Sequence, residues 1–163
     1  MAFSRRVERT AGGRYVIALP EPERALLGNL VEQLRELLLA TTDDPNLRRL
    51  FPTAYNQDPD RDEEYQLLVR DELLERRLGA LAVVEEQLSA TVLDEAGLTS
   101  WLTAINDLRL VLGTRLDVSE DDHDVDPDDP DAPALAVYHY LAMLLSEVVD
   151  ALEPDLPPPD VEV

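Results

Sequence analysis

The chain has 163 residues, 45% of them hydrophobic, which is enough to bury one core without covalent cross-links. Its 35 acidic side chains against 14 basic ones give a formal net charge of -21; this repels nucleic-acid phosphates and disfavours direct DNA binding unless arginines cluster locally. No cysteine is present, so disulfides, thiolate metal sites and thiol redox switching within the chain are excluded.

No run of about 18 apolar residues occurs, and the opening MAFSRRVERT lacks the apolar core of a signal peptide. The expectation is a cytoplasmic protein with no membrane span. Every basic residue is arginine, which the codon bias of a high-GC genome explains.

In chain order, Phe3 to Arg9 and Arg14 to Leu19 read as two short strands around Ala11-Gly12-Gly13. Phe3 and Val7 alternate with Ser4 and Arg6, and Tyr15, Ile17 and Leu19 keep the same period. This is the pattern of a half-buried hairpin whose glycines supply the positive φ of the turn. Two strands alone are marginal, so the hairpin must lean on helices. Arg5, Arg6, Arg9 and Arg14 make it the one basic spot on an acidic chain. Neutralisation of nearby carboxylates is the plain expectation, and a partner-binding edge is the alternative.

Pro20 to Glu23 opens the first long helix, with carboxylates in the first turn where they favour the dipole. Leu27, Leu30, Val31, Leu34 and Leu38 continue its stripe to about Leu39. Asp44-Pro45 starts a short helix that carries Leu47 and Leu50 inward beside Arg48 and Arg49, and Phe51-Pro52 stops it. Thr53 to Arg61 reads as a polar loop holding Tyr55. Asp62 to about Ala90 is the longest helix, with Leu67, Leu74, Leu78, Leu81 and Leu88 on one arc.

Asp94 to Leu116 carries the single tryptophan. Leu98, Trp101, Leu102, Ile105, Leu108, Leu112 and Leu116 share an arc while Leu110 and Val111 lie outside it, which places this helix in the middle of a bundle. Arg109 projects into the same arc, and a buried guanidinium needs a partner. Asp71 and Glu85 sit inside the arc of the preceding helix. One of them is therefore expected to face Arg109, with Arg70 or Arg77 close by, as a structural ion pair that fixes register more than it stabilises.

A catalytic use of Asp71 and Glu85 would need a nucleophile, a base and an orienting group, and the set cannot be filled. A helical di-metal site would need Glu-x-x-His on inward faces. His123 falls in an acidic stretch, and His139 turns away from the apolar arc of its own helix. No Gly-rich phosphate loop or nucleophile elbow occurs. No enzyme activity, cofactor or metal is expected.

Asp117 to Ala132, DVSEDDHDVDPDDPDA, is nearly all carboxylate and proline and reads as a disordered loop. It lacks an EF-hand's sixth-position Gly and twelfth-position Glu in register. Contact with a basic partner, or imitation of a nucleic-acid backbone, is its alternative role. Pro133 opens the last helix, which runs to about Leu152 and buries Leu135, Tyr138, Leu141, Ala142, Leu145, Val148 and Leu152. Trp101 and Tyr138 are read as core anchors. Glu153 to Val163 has proline too dense for a helix and reads as a disordered tail.

The fold class is thus mainly α: one domain over residues 1–152, a bundle of about four long helices and a short one with an N-terminal β-hairpin. An exposed apolar strip on the first or last helix would indicate a dimer.

The succession of VERTAGGRYVIAL, DPNLRRLFPTAY, WLTAINDLRLVLGTRL, an acidic gap and LAVYHYLAMLL resembles, over nearly the whole chain, one actinobacterial family. That family is a domain of unknown function often encoded beside the ClpS adaptor, and it includes the oxidative-stress-responsive regulator AosR. The best-matching piece is Trp101, Asn106, Asp107, Leu108, Arg109, Leu110 and Gly113 to Leu116. The resemblance implies regulation of transcription under oxidative stress with a stress sigma factor as partner. The cysteine pair through which the studied regulator senses oxidant has no counterpart here, so intramolecular disulfide sensing cannot operate. The readings that follow are, first, a non-enzymatic regulator that contacts a protein, and second, a direct DNA-binding regulator with the hairpin arginines and Arg48-Arg49 gathered on one face. A proteolysis adaptor and an enzyme using Asp71 and Glu85 come last.

Overall fold

The computed structural model describes residues 5–41, 44–51, 59–117 and 128–153. The polar loop around Tyr55, most of the acidic stretch and the tail beyond Glu153 lie outside the described residues. In order the elements are β1 (Val7–Arg9), β2 (Tyr15–Ile17), α1 (Glu21–Ala40), a 3-10 turn (Pro45–Leu47), α2 (Pro59–Gln87), β3 (Val92–Leu93), α3 (Glu95–Leu116) and α4 (Ala132–Leu152). The protein is a mainly helical bundle with a small N-terminal antiparallel sheet.

α3 is the central rod, packed between α2 and α4 and touching α1 and the 3-10 turn. Its N-terminus is fixed by Asp94, whose Oδ1 accepts the Gly97 N–H at 2.7 Å, satisfying one of the first-turn donors that a helix leaves unpaired. Leu98, Trp101, Ala104, Ile105 and Leu108 are buried along it. Near its far end the absence of a side chain at Gly113 lets α4 come close: a Cβ there would lie 2.9 Å from the Tyr138 ring.

The hairpin turns at Gly12 and Gly13, with φ of 95° and 76°. Val7 stands opposite Ile17, and Arg9 opposite Tyr15. A strand absent from the sequence reading completes the sheet in the order β1-β2-β3. Two residues, Val92 and Leu93, are too few to show alternation, so β3 announces itself only through its partner: Tyr15 faces Leu93, and the Ile17 N–H donates to Thr91 O at 2.8 Å. Val7, Tyr15, Ile17 and Leu93 join the helical core, which is how a hairpin too small to stand alone is held.

Element ends differ from expectation in three places. α2 begins at Pro59 instead of Asp62 and ends at Gln87 instead of Ala90, because the chain must turn at Leu88 to Ala90 to enter β3, a turn closed by the Ala90 N–H on Gln87 O at 2.9 Å. The short helix after Asp44 is a 3-10 turn capped by the Asp44 side chain. The last residues of the stretch expected to be disordered form an ordered turn: the Asp131 N–H donates to Asp129 Oδ1 at 2.9 Å and leads into α4. By length and composition alone α4 is apolar enough to cross a bilayer, at a mean hydropathy of 1.4. In this fold it lies against α3 and β1 and buries Leu141, Leu144, Val148 and Ala151.

Candidate functional site

The Arg109 pairing expected from the sequence does not form. Arg109 Nη2 donates to Asn106 Oδ1 on its own helix at 3.0 Å, and its buried Nε has no hydrogen-bond partner among the described residues. Asp71 is exposed, and Glu85 pairs with Arg35 of α1. The arc of α2 is wide because two helices lie against it, and Glu85 looks toward α1 instead of α3.

The ion pair between α2 and α3 is made by other residues. Arg77 Nη1 donates to Asp107 Oδ1 at 2.5 Å, and Arg77 Nη2 donates to Leu50 O at 3.2 Å, so one guanidinium ties α2 to α3 and to the turn after the 3-10 segment. The Asp107 side chain is only 1% exposed. Burial pushes its carboxyl up to about 6, against the pull of Arg77 toward the charged form. Among the described residues Asp107 Oδ2 and Arg77 Nε have no hydrogen-bond partner. The dominant apolar arc of α3 points to Arg109 and not to Asp107. The signal was present in the second apolar side of the helix: Asp107 lies three after Ala104 and four before Val111.

At the other end of the bundle the four hairpin arginines divide. Arg6 is absorbed by the fold: its Nε donates to Glu23 Oε1 at 2.8 Å, and its backbone N–H donates to Glu147 Oε1 at 2.8 Å, joining β1 to α1 and α4. Beside them the Tyr140 hydroxyl is buried without a hydrogen bond of normal geometry. Burial, and then the neighbouring Glu23 charge, raises its ionisation well above the ordinary phenol range. For Glu23, burial acts upward, but the Arg6 hydrogen bond and the nearby Tyr140 outweigh it and hold the carboxyl below its usual range. Arg5 lies 4.0 Å from Asp150, both side chains largely in solvent. Arg9 and Arg14 are exposed, with no ion pair among the described residues.

A further cation absent from the sequence reading is Arg24, which opens α1. Its guanidinium gathers four backbone carbonyls: Leu19 at 2.9 Å, Ile17 at 3.2 Å, Ala90 at 3.0 Å and Leu88. It thereby closes the end of β2 onto the turn between α2 and β3. No pattern of apolar spacing reveals such a residue, since its partners are main-chain atoms.

Two of the open clefts among the described residues bear on the site. One, of about 590 Å³, runs along β1 and the hairpin tip to the end of α4 and mixes Arg5 and Arg9 with Glu8, Asp150 and Glu153. The other, of about 340 Å³, lies between α1, the 3-10 turn, α3 and α4, with Leu37, Asn46 and Arg115 among its lining residues. Arg6 is held at the first turn of α1, whereas Asn46 of the 3-10 turn lines one cleft with Leu37 of its last turn. A 20-residue helix is roughly 30 Å long, so the hairpin arginines and Arg48-Arg49 stand at opposite ends of the bundle. His139 is exposed, and His123 lies outside the described residues. Among the described residues no three His, Asp or Glu side chains are grouped so as to hold a metal ion.

Compared with known proteins, residues 4–152 match the family model described as a domain of unknown function, DUF2017. The chain belongs to this family. Among curated proteins, this DUF2017 chain is 29% identical over 185 aligned positions to the oxidative stress regulator AosR of Mycobacterium bovis, covering 89% of the chain and 85% of the relative. The AosR proteins of two Mycobacterium tuberculosis strains, CDC 1551 and H37Rv, match to the same extent. No solved structure matches.

Proposed function

We propose that this protein is a non-enzymatic cytoplasmic regulator that acts by binding a protein partner, a sigma factor or another component of the transcription apparatus. The observation that carries the reading is its similarity to oxidative stress regulators along 89% of its length. The geometry supports it in two ways. The buried charges, Arg77 with Asp107 and Arg6 with Glu23, are consumed in joining helices, which leaves recognition to the surface. At the hairpin, Arg9 and Arg14 stand exposed beside an open cleft, as cations suited to an acidic partner.

Direct DNA binding is the weaker alternative. It needs the two arginine clusters on one face, and they lie at opposite ends of α1. Oxidant sensing by a thiol pair within this chain is excluded by composition.

The test is capture with tagged full-length protein from its native cells, with and without peroxide, followed by mass spectrometry. A transcription component is expected in both conditions. The Arg9→Ala, Arg14→Ala double variant should bind that purified component more weakly by up to about thirtyfold, at the roughly 1 kcal/mol per exposed charge that such pairs reach at most. Recovery of no transcription component in either condition overturns the reading, and a mobility shift with duplex DNA alone would favour the alternative.

A further inference from the structure

The cleft between α1, the 3-10 turn, α3 and α4 has a composition unlike the rest of the molecule. The protein carries 35 carboxylates, yet none of the described residues that line this cleft is acidic. Its most buried lining residues are Leu34, Leu108 and Leu141, at 4%, 6% and 0% exposure, and the remainder is leucine and valine apart from three polar side chains, Gln33, Asn46 and Arg115. Arg115 belongs to the last turn of α3, is exposed, and makes no ion pair among the described residues, whereas Arg5, Arg6, Arg35 and Arg77 each have a carboxylate. The nearest acidic group in sequence to Asn46, Asp44, has its Oδ1 engaged with the Asn46 N–H at 2.8 Å.

An apolar hollow with a few convergent polar groups is what a small-molecule site looks like. The polar set here consists of one cation and two amides, all of which can donate N–H groups to a carboxylate. The volume of about 340 Å³ has room for about eleven non-hydrogen atoms at the roughly 30 Å³ that each water takes in the liquid. We propose that this cleft is a binding site for a small amphipathic monocarboxylate, an aliphatic chain of about eight carbons lying on the half-buried Leu30, Leu37, Val111 and Leu112 with its carboxylate toward Arg115, Asn46 and Gln33. The site is independent of the partner-binding reading above. It touches α1, α3 and α4 at once, so an occupant bridges three elements of the bundle.

The probes are octanoate, octanol and butyrate, titrated at neutral pH into full-length protein with labelled leucine methyls and followed by NMR. Octanoate is expected to saturate one site, shifting the methyls of Leu30, Leu37 and Leu112 and sparing the exposed Leu39, Leu67 and Leu68. Octanol should bind about fivefold more weakly, the limit set by an exposed charge pair, and butyrate should lack the apolar contact needed to saturate the same methyls. In Arg115→Ala, which alters a surface side chain, octanoate should fall to the affinity of octanol. In Leu37→Trp, which fills the cleft from its half-buried wall, both should be lost while the thermal midpoint is kept. Equal binding of octanoate and octanol to the unaltered protein overturns the proposal, as does unsaturable shifting that includes Leu39, Leu67 and Leu68. Octanoate affinity unchanged in Arg115→Ala overturns it as well, since the cation would then serve only the helix terminus.

Discussion

Asp107 is a carboxylate removed from water and joined to one guanidinium, and that arrangement dictates how the protein responds to both mutation and pH. Arg77→Ala is expected to cost about 3 kcal/mol or more above pH 7, because it leaves a buried charge unopposed. The loss should shrink toward pH 5, where Asp107, with its carboxyl already up to about 6, takes a proton. Urea midpoints at the two pH values check this. The sign for the unaltered protein follows from linkage: the folded state holds this proton more tightly than the unfolded chain, so the Asp107 contribution to stability falls as pH rises from about 4 through 6 and is level above. Glu23 runs the other way, since its lowered value gives stability that is present above the ordinary carboxylate range and lost on acidification. Comparing the pH profiles of Asp107→Asn and Glu23→Gln with that of the unaltered protein separates the two; parallel profiles would contradict both assignments. At this scale the sequence was half legible. That α3 carries a charge into the bundle can be read from its two apolar sides, but both Arg109 and Asp107 satisfy that pattern. Only the position of Arg77 on the facing helix decides between them.

Elements were more legible than residues wherever a run of leucines repeats at helical spacing. The four long helices follow from such runs, and the hairpin follows from its glycines. What escaped was made of main chain. β3 has two residues, and Arg24 binds four carbonyls that any side chains could have accompanied. Because those bonds are charge-assisted, Arg24→Ala should lower stability by about 2 to 4 kcal/mol, and Arg24→Lys should recover only part of it, since an ammonium cannot present the planar fork. Denaturant unfolding with both variants tests this, and a full rescue by lysine would show that charge alone matters. The cap of α3 is a smaller effect: Asp94→Ala should cost about 1 kcal/mol by releasing the Gly97 N–H, visible as a shift in midpoint at unchanged slope.

For the whole molecule the excess of 21 negative charges outweighs the few ion pairs. Self-repulsion acts against the compact state, and salt that shortens the screening length from about 10 Å at 0.1 M to about 3 Å at 1 M relieves it. The melting midpoint should therefore rise with sodium chloride by several degrees, at about 3 °C per kcal/mol for a domain of this size. A fall would mean that the Arg6, Arg35 and Arg77 pairs dominate. The charge imbalance was legible from composition alone. Its distribution was not, because the apolar cleft and the separation of the two arginine clusters come from the way α1 is threaded between the hairpin and the 3-10 turn.

Trp101 is 1% exposed, and its indole N–H reaches Gln87 Oε1 of α2 at 3.1 Å. As the sole indole in the chain, it gives the protein a single fluorophore at the seam of its two longest helices. Emission colour and quencher access thus report one place, and a red shift on adding a partner or a fatty acid would time the parting of that seam without any label.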